Sequence, residues 1–261
     1  MGRMSSVRTG RDGEVWQVTL ARPDAGNAID LDLLQGLVAA FEERPAETRA
    51  VLLLAEGPRF SVGGDIRYFT ASADPAPVVA RMAEQWHRVV RLVLGCPVPV
   101  VAGVHGAVGG AAVGLMGACD LVVCARSTTI RPAYAAVGLS PDGGTSWVLT
   151  RALGAPRALD LCLTDGALTA AEAHAAGLVA RLADDDTLRE SAVALARGVA
   201  AGPVRAMVRT RSLVRSAAVR TLDQHLDDEA RLIAESAADP EGREGLRAFV
   251  EKRRPDFRTA R

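Results

Sequence analysis

From Val98 to Cys119 the chain carries no strongly polar side chain except His105, and no other stretch constrains the fold as much. The run is long enough to cross a bilayer, which takes roughly 20 apolar residues in a helix. Gly110 and Gly114 even stand at the GxxxG spacing of paired membrane helices. The punctuation argues against a span. Pro97 and Pro99 precede the run, Gly103, Gly106, Gly109 and Gly110 interrupt it, and Asp120 closes it. Glycine permits sharp reversals and weakens a continuous helix, so a buried strand, a tight turn and a short core helix meet the pattern better. The expectation is a soluble protein with no membrane span, whose longest apolar run is its core.

The flanking segments extend this reading. Val15 to Leu20 alternates as a strand and is followed by a polar loop from Arg22 to Asn27. Asp30 stands as an N-cap before an amphipathic run through Leu33, Leu34, Leu37 and Phe41. Ala50 to Ala55 is wholly apolar and short, which predicts a buried strand, and a glycine loop follows from Phe60 to Asp65. The small, polar, proline-bearing segment Thr70 to Pro77 predicts a mobile loop. Val78, Met82, Gln85, Trp86 and Val89 then predict a one-sided helix. Pro99 to Val104 and Leu121 to Cys124 read as further buried strands around a glycine-rich helix. This strand-strand-helix rhythm predicts an α/β core.

The composition changes at Ala201-Gly202-Pro203. Beyond it no strand pattern recurs, Val204 to Ala238 reads as helical and heavily charged, and Glu241 to Arg254 forms a last helix after Pro240. Two regions are therefore expected: a core over 1–202 and a helical region over 203–261 that supplies an oligomer interface.

Several functions are excluded cheaply. Lys+Arg and Asp+Glu balance at 31 each, so no global field draws nucleic acid or an anionic membrane. There is no GxGxxG after a strand and no GxxxxGK[ST]. Gly138-Leu139-Ser140-Pro141-Asp142 approaches a nucleophile elbow but ends on Asp, with Pro141 in the turn. The histidines (His87, His105, His174, His225) are scattered without HExxH spacing and read as structural. The four cysteines lack CxxC spacing and read as small core residues of a reduced compartment, so no metal site is expected. Met1 to Gly13 lacks the apolar core of a signal peptide, which points to the cytoplasm.

Two glycine loops remain, Gly63-Gly64 and Gly109-Gly110, each where a buried strand ends. Main-chain N–H groups at such turns can hold a developing oxyanion, and one of the two is reinforced by a helix N-terminus. The same glycines equally suit close packing of strand on helix. On physical grounds alone both readings stand.

The residues around these loops resemble the crotonase (enoyl-CoA hydratase/isomerase) family. Phe60 to Arg67, FSVGGDIR, is similar to its first oxyanion segment, and Pro97 to Ala111, PVPVVAGVHGAVGGA, to its second. Val137 to Gly144 resembles its GLxPDxGG stretch, and Leu168 to Ala173 with Gly177-Leu178-Val179 its LTAxEAxxxGLV. Ala248 to Phe257 resembles its closing AFxEKRxPxF, so the likeness runs in order over nearly the whole chain.

The resemblance implies a spiral of strand-strand-helix turns with a C-terminal helical trimerisation region, assembled as a trimer or hexamer. It implies an acyl-CoA thioester substrate, with coenzyme A part of the substrate and no separate cofactor. The oxyanion hole falls on the backbone N–H groups of Val62 and Ala111. Arg22 falls near the nucleotide, Asp65 and Ile66 line the adenine pocket through backbone groups, and Phe249 and Lys252 reach a neighbouring subunit's nucleotide. Tyr68, Phe69, Met82 and Trp86 suggest an apolar acyl pocket, or equally core.

The main departure concerns acid/base groups. The two glutamates with which family hydratases activate water correspond to Gly114 and Tyr134. Asp142 instead matches an aspartate of family isomerases, including the ring-epoxide phenylacetyl-CoA isomerases, with Trp147 five residues on. The implied activity is an acyl-CoA isomerase with Asp142 as proton shuttle. Alternatives are another reaction of the family (hydrolase, dehalogenase, hydratase) or a catalytically silent acyl-CoA-binding protein.

Overall fold

A hairpin of two short strands starts the main sheet. In the computed structural model, which describes residues 5–259, β1 (Val7–Asp12) and β2 (Val15–Leu20) form an antiparallel pair turned at Gly13. β1 lies in the segment read only for a signal peptide, and residues 1–4 of that reading fall outside the described range. Asp30 caps α1 (Leu31–Glu42) as expected, its carboxylate accepting from the Leu33 N–H at 2.9 Å. Such a cap is worth about 1 kcal/mol. The helix buries Leu33, Leu34, Leu37, Ala40 and Phe41.

β3 (Ala50–Ala55) is buried at every position, as a strand covered on both faces must be. α2 (Ile66–Thr70) and α3 (Ala76–Leu94) follow. The loop expected over 70–77 is shorter, because Thr70 closes α2 and Ala76 opens α3. Pro75 and Pro77 sit at the start of α3, where a missing N–H removes no intrahelical bond.

The constraining run divides into β4 (Val100–Val104), β5 (Ala107–Gly109) and α4 (Ala111–Ala118). Gly106, at φ +64, turns the chain between the two strands, and a Cβ there would lie 2.0 Å from the Pro58 carbonyl oxygen. β6 (Leu121–Ala125), β7 (Thr129–Arg131), α5 (Thr145–Leu153), α6 (Ala155–Leu163), β8 (Leu168–Thr169), α7 (Ala170–Ala175), β9 (Arg181–Ala183) and α8 (Leu188–Ala200) complete the core. The main sheet runs β1-β2-β3-β4-β6-β9, parallel except for β1, and a second sheet runs β5-β7-β8. The chain steps repeatedly from one sheet to the other, which generates the expected spiral. Most of the core lies where α1, α3 and α4 pack, with a smaller cluster joining Leu52, Leu54 and Val101 to Leu188, Ala192 and Ala196.

Three helices close the chain: α9 (Val204–Ser216), α10 (Leu222–Ala238) and α11 (Pro240–Val250). The single helix expected over 204–238 is thus two. Thr221 restarts it with a capping box to Gln224, which satisfies N–H groups that a continuous helix would not leave free. The last helix ends at Val250 rather than Arg254, and Lys252 beyond it adopts a left-handed φ of +54. Among the described residues no strand follows β9, and no helix is long and apolar enough to cross a membrane.

Candidate active site

The two glycine loops lie against each other. Ser61 bridges Val108, and the Gly109 N–H donates to the Ser61 carbonyl at 2.8 Å. A Cβ on Gly109 would stand 2.8 Å from the Val62 carbonyl oxygen, and one on Gly63, at φ +89, the same distance from that of Gly109. No side chain fits between them. The close approach that sequence left as one of two readings is therefore present, and it brings Val62 and Ala111 to one place.

Their donors differ. Ala111 opens α4, so its N–H has no intrahelical acceptor and sits at the positive end of the helix dipole. The Val62 N–H instead donates to the Gly26 carbonyl at 3.1 Å. One member of the expected donor pair is open and the other is engaged.

Asp142, half-buried in the turn before α5, reaches the same place through a chain of polar contacts. The Tyr134 hydroxyl donates to its carboxylate at 2.6 Å and lies 3.4 Å from the Thr145 hydroxyl, which donates to the Gly110 carbonyl at 3.1 Å. The Trp86 indole N–H donates to the Ala111 carbonyl at 3.3 Å. The same indole nitrogen would meet a Cβ on Gly143 at 2.3 Å, so the turn presses on Trp86 as well. His87 holds it from α3, its Nε2 accepting the Gly143 N–H at 3.2 Å. Burial, and then the adjacent Asp142 carboxylate, push the Tyr134 phenol well above its ordinary value.

Gly114 is fixed by the same turn. A Cβ on it would fall 2.0 Å from the Gly143 carbonyl oxygen, far inside contact distance and against backbone. This backbone leaves no space for any larger side chain at that position.

The substrate-binding expectations are placed unevenly. Arg22 pairs with Asp30 at 3.1 Å and Asp65 at 3.3 Å and also donates to the Ala28 carbonyl, so its charge is neutralised within the chain. Asp65 caps α2 while its own N–H donates to the Ile29 carbonyl, and Ile66 beside it is exposed. Met82 and Trp86 are buried in the main core, so packing accounts for both; Phe69 packs on that core and its ring covers Gly64. Phe249 and Lys252 stand exposed at the end of α11.

Sequence reasoning classed His87 with the structural histidines. That holds for His105 and His174, bound to the Gly57 and Val179 carbonyls, and for His225 beside Glu229. His87 differs because it touches the Asp142 turn. The only local signal was its position next to Trp86 on an amphipathic helix. Burial pushes the thiols of Cys96, Cys119 and Cys124 up, as inert core residues require. Among the described residues no cluster of three potential ligands could hold a metal ion.

The family model described as enoyl-CoA hydratase/isomerase matches residues 10–260. A 1,2-epoxyphenylacetyl-CoA isomerase of Escherichia coli K12 is 34% identical over 93% of this chain and 94% of its own. A trans-2-decenoyl-[acyl-carrier-protein] isomerase of Streptococcus mutans is 31% identical over 94% and 95%. The crystal structure of an enoyl-CoA hydratase from Polaromonas sp. JS666 superposes with a TM-score of 0.90 at 31% identity, covering 96% of this chain and 98% of that one. With the paired glycine loops and the two-sheet spiral, these matches establish that the chain is an enzyme of the enoyl-CoA hydratase/isomerase (crotonase) family, acting on acyl-CoA thioesters.

Proposed function

We propose that the protein is an acyl-CoA isomerase that shifts a double bond through a thioester enolate, with Asp142 as the proton shuttle. The observation that carries this reading is the closed space at Gly114, where a Cβ would lie 2.0 Å from backbone. With Gly114 and Tyr134 at the positions of the hydratase glutamates, neither supplies a carboxylate to activate water. A single carboxylate suits isomerisation. Asp142 takes the α proton of a 3-enoyl thioester, the electrons move onto the thioester oxygen, and the same proton returns to the γ carbon. The Ala111 N–H meets the developing charge directly. The Val62 N–H joins it by exchanging or sharing its bond to Gly26, and an oxyanion donor is worth about 2.7–4 kcal/mol in the barrier. No cofactor is required beyond the coenzyme A carried by the substrate. The exposed apolar side chains of α10 and α11 support assembly as a trimer or hexamer through the helical region over 203–261, with Phe249 and Lys252 near a neighbouring subunit's nucleotide.

The test is turnover of 3-enoyl-CoA against hydration of crotonyl-CoA, with mass detection, in the wild type and in Asp142→Asn. Isomerisation is expected in the wild type, falling by about 10²–10⁴-fold in the variant, the usual contribution of a positioned base. Acyl-CoA affinity and the melting curve should be preserved. Efficient crotonyl-CoA hydration would overturn the reading, as would an unchanged rate in Asp142→Asn.

The position of His87 favours a second reading, in which Asp142 displaces halide from a halogenated acyl thioester and His87, once its Nε2 releases the Gly143 N–H, activates water for hydrolysis of the resulting ester. Halide release from an aryl or alkyl halide thioester, with a trapped Asp142 ester, would select that reaction.

A further inference from the structure

We propose that Tyr134 is a positioning residue for the proposed isomerase, aiming the Asp142 carboxylate at the substrate by donating its phenolic proton to it.

Four observations carry this. The Tyr134 oxygen lies 2.6 Å from Asp142 Oδ1, at the short end of the range for an O–H donor on oxygen. The same hydroxyl lies 3.2 Å from the Asp142 carbonyl oxygen, so it meets both the side chain and the backbone of the turn. Tyr134 is itself only 8% exposed, and its strongly raised phenol stays protonated, which keeps it a donor. Finally, the Thr145 N–H donates to the Asp142 carbonyl at 3.0 Å and its hydroxyl to the Gly110 carbonyl at 3.1 Å, so the turn is fixed relative to the loop that carries the open Ala111 N–H.

A buried tyrosine needs some hydrogen-bond partner, and packing alone would be satisfied by a backbone carbonyl. Here the hydroxyl takes the one carboxylate that the reaction uses. A carboxylate that serves both the α and the γ carbon has to be held in one orientation, and a donor fixed in the core beside it does that. The groups facing the pair are few. Asp142 is the charged group that bears on Tyr134, Thr145 contributes a hydroxyl from α5, and His87 reaches the turn from α3 through the Gly143 N–H.

Two measurements test the proposal. In Tyr134→Phe, which keeps the ring, kcat for 3-enoyl-CoA isomerisation should fall roughly ten- to a hundred-fold, less than the about 10²–10⁴-fold of the acid/base group itself, with KM little changed. Acyl-CoA affinity and the melting curve should be preserved. A kcat equal to the wild type, or a loss of rate matched by losses of affinity and melting temperature, would overturn the proposal, because a purely structural tyrosine would not separate kcat from the other two. The second measurement needs neither activity nor the phenylalanine variant. With 3-fluorotyrosine incorporated into a Tyr68→Phe protein, position 134 is the remaining tyrosine, and its ionisation is followed by fluorine NMR. Replacing Asp142 by Asn should bring that ionisation to lower pH, and identical midpoints would overturn the proposal. If no isomerisation is detected in the wild type, the isomerase reading and the role built on it fall together. A fluorine shift would then still establish the Tyr134–Asp142 contact for whatever reaction replaces it.

Discussion

Every residue of β3 is buried, whereas α10, almost three times as long, buries none. The contrast extends to the regions they belong to. The spiral core is held by apolar area: Leu20, Leu33, Leu37, Leu52, Leu53 and Leu115 are all essentially inaccessible. The three closing helices bury only Val204, Glu241 and Ala248. They are fixed instead by charged clamps at their ends. Arg211 and Arg215 of α9 both bind Asp120, at 3.0 and 2.8 Å, and donate to the carbonyls of Leu94, Cys96 and Ala118 near the C-termini of α3 and α4. Cations are favoured there because the last carbonyls of a helix lack partners. At the other end Glu241 binds Arg49 at 2.9 Å and accepts the Arg205 N–H.

The clamps leave the apolar faces of the tail open. Leu222, Ile233, Leu246, Phe249 and Val250 are each more than 60% exposed. A cavity of about 830 Å³ lies along the seam between the core and α9, at the opposite end of α4 from Ala111. The comparison teaches that this chain divides its labour. One region is held by its own buried apolar area, while the other is docked by charge and leaves its apolar side chains exposed.

Truncation of a core side chain is the strongest way to break this contrast. Leu53→Ala in β3 should cost about 2–5 kcal/mol in chemical denaturation, the usual cost of a buried leucine. Ile233→Lys in α10 should stay within about 0.5 kcal/mol of the wild type in a protein held as monomer, while shifting any assembly in sedimentation toward smaller species. Comparable unfolding by both would show that the two regions are not held differently.

Breaking a clamp should have an intermediate effect. Asp120→Ala leaves Arg211 and Arg215 without their carboxylate, and loss of one partner of a buried pair costs about 3–5 kcal/mol. The expected value is below that range, since the Arg215 side chain keeps 29% exposure and water can compensate it. Hydrogen exchange should rise in α9 and leave β3 protected. Uniform exchange through both would mean that the clamp and the core unfold as one.

The smallest effect concerns the end of the tail. The Arg253 guanidinium, and then the Asp256 N–H, hold the half-buried Glu244 carboxyl down to about 2 from its ordinary 4.5. A lowered carboxyl contributes stability that is fully present above its unfolded value and lost as pH falls through the folded one. The contact between α11 and the segment after it should therefore loosen only between about 4.5 and 2, visible as faster exchange of the Asp256 amide. Full protection of that amide below this window would refute the assignment.

Much of the core was legible because its signals are local. An all-apolar hexapeptide bounded by polar residues is too short for a typical helix and suits a strand covered on both sides, and β3 is one. Asp30 three residues before Leu33 specifies a cap from its own neighbourhood, and the cap is present. The break between α9 and α10 was carried by equally local evidence at Thr221 and Gln224, but it lay inside a run whose composition stayed helical throughout.

The sequence by itself determined the strand-strand-helix order, the two glycine loops and the absence of carboxylates at positions 114 and 134, since each depends on residue type and near neighbours. Tertiary structure alone decided what those residues meet. It pressed Gly109 onto Val62, engaged the Val62 N–H with Gly26, buried Met82 and Trp86, and set Tyr134 and His87 on either side of the Asp142 turn. Those contacts join segments far apart in the chain, and no periodicity or spacing within one segment encodes them. They exist because two sheets and the helices between them pack at fixed distances, so that a residue's chemistry is settled by which distant backbone the packing brings to it.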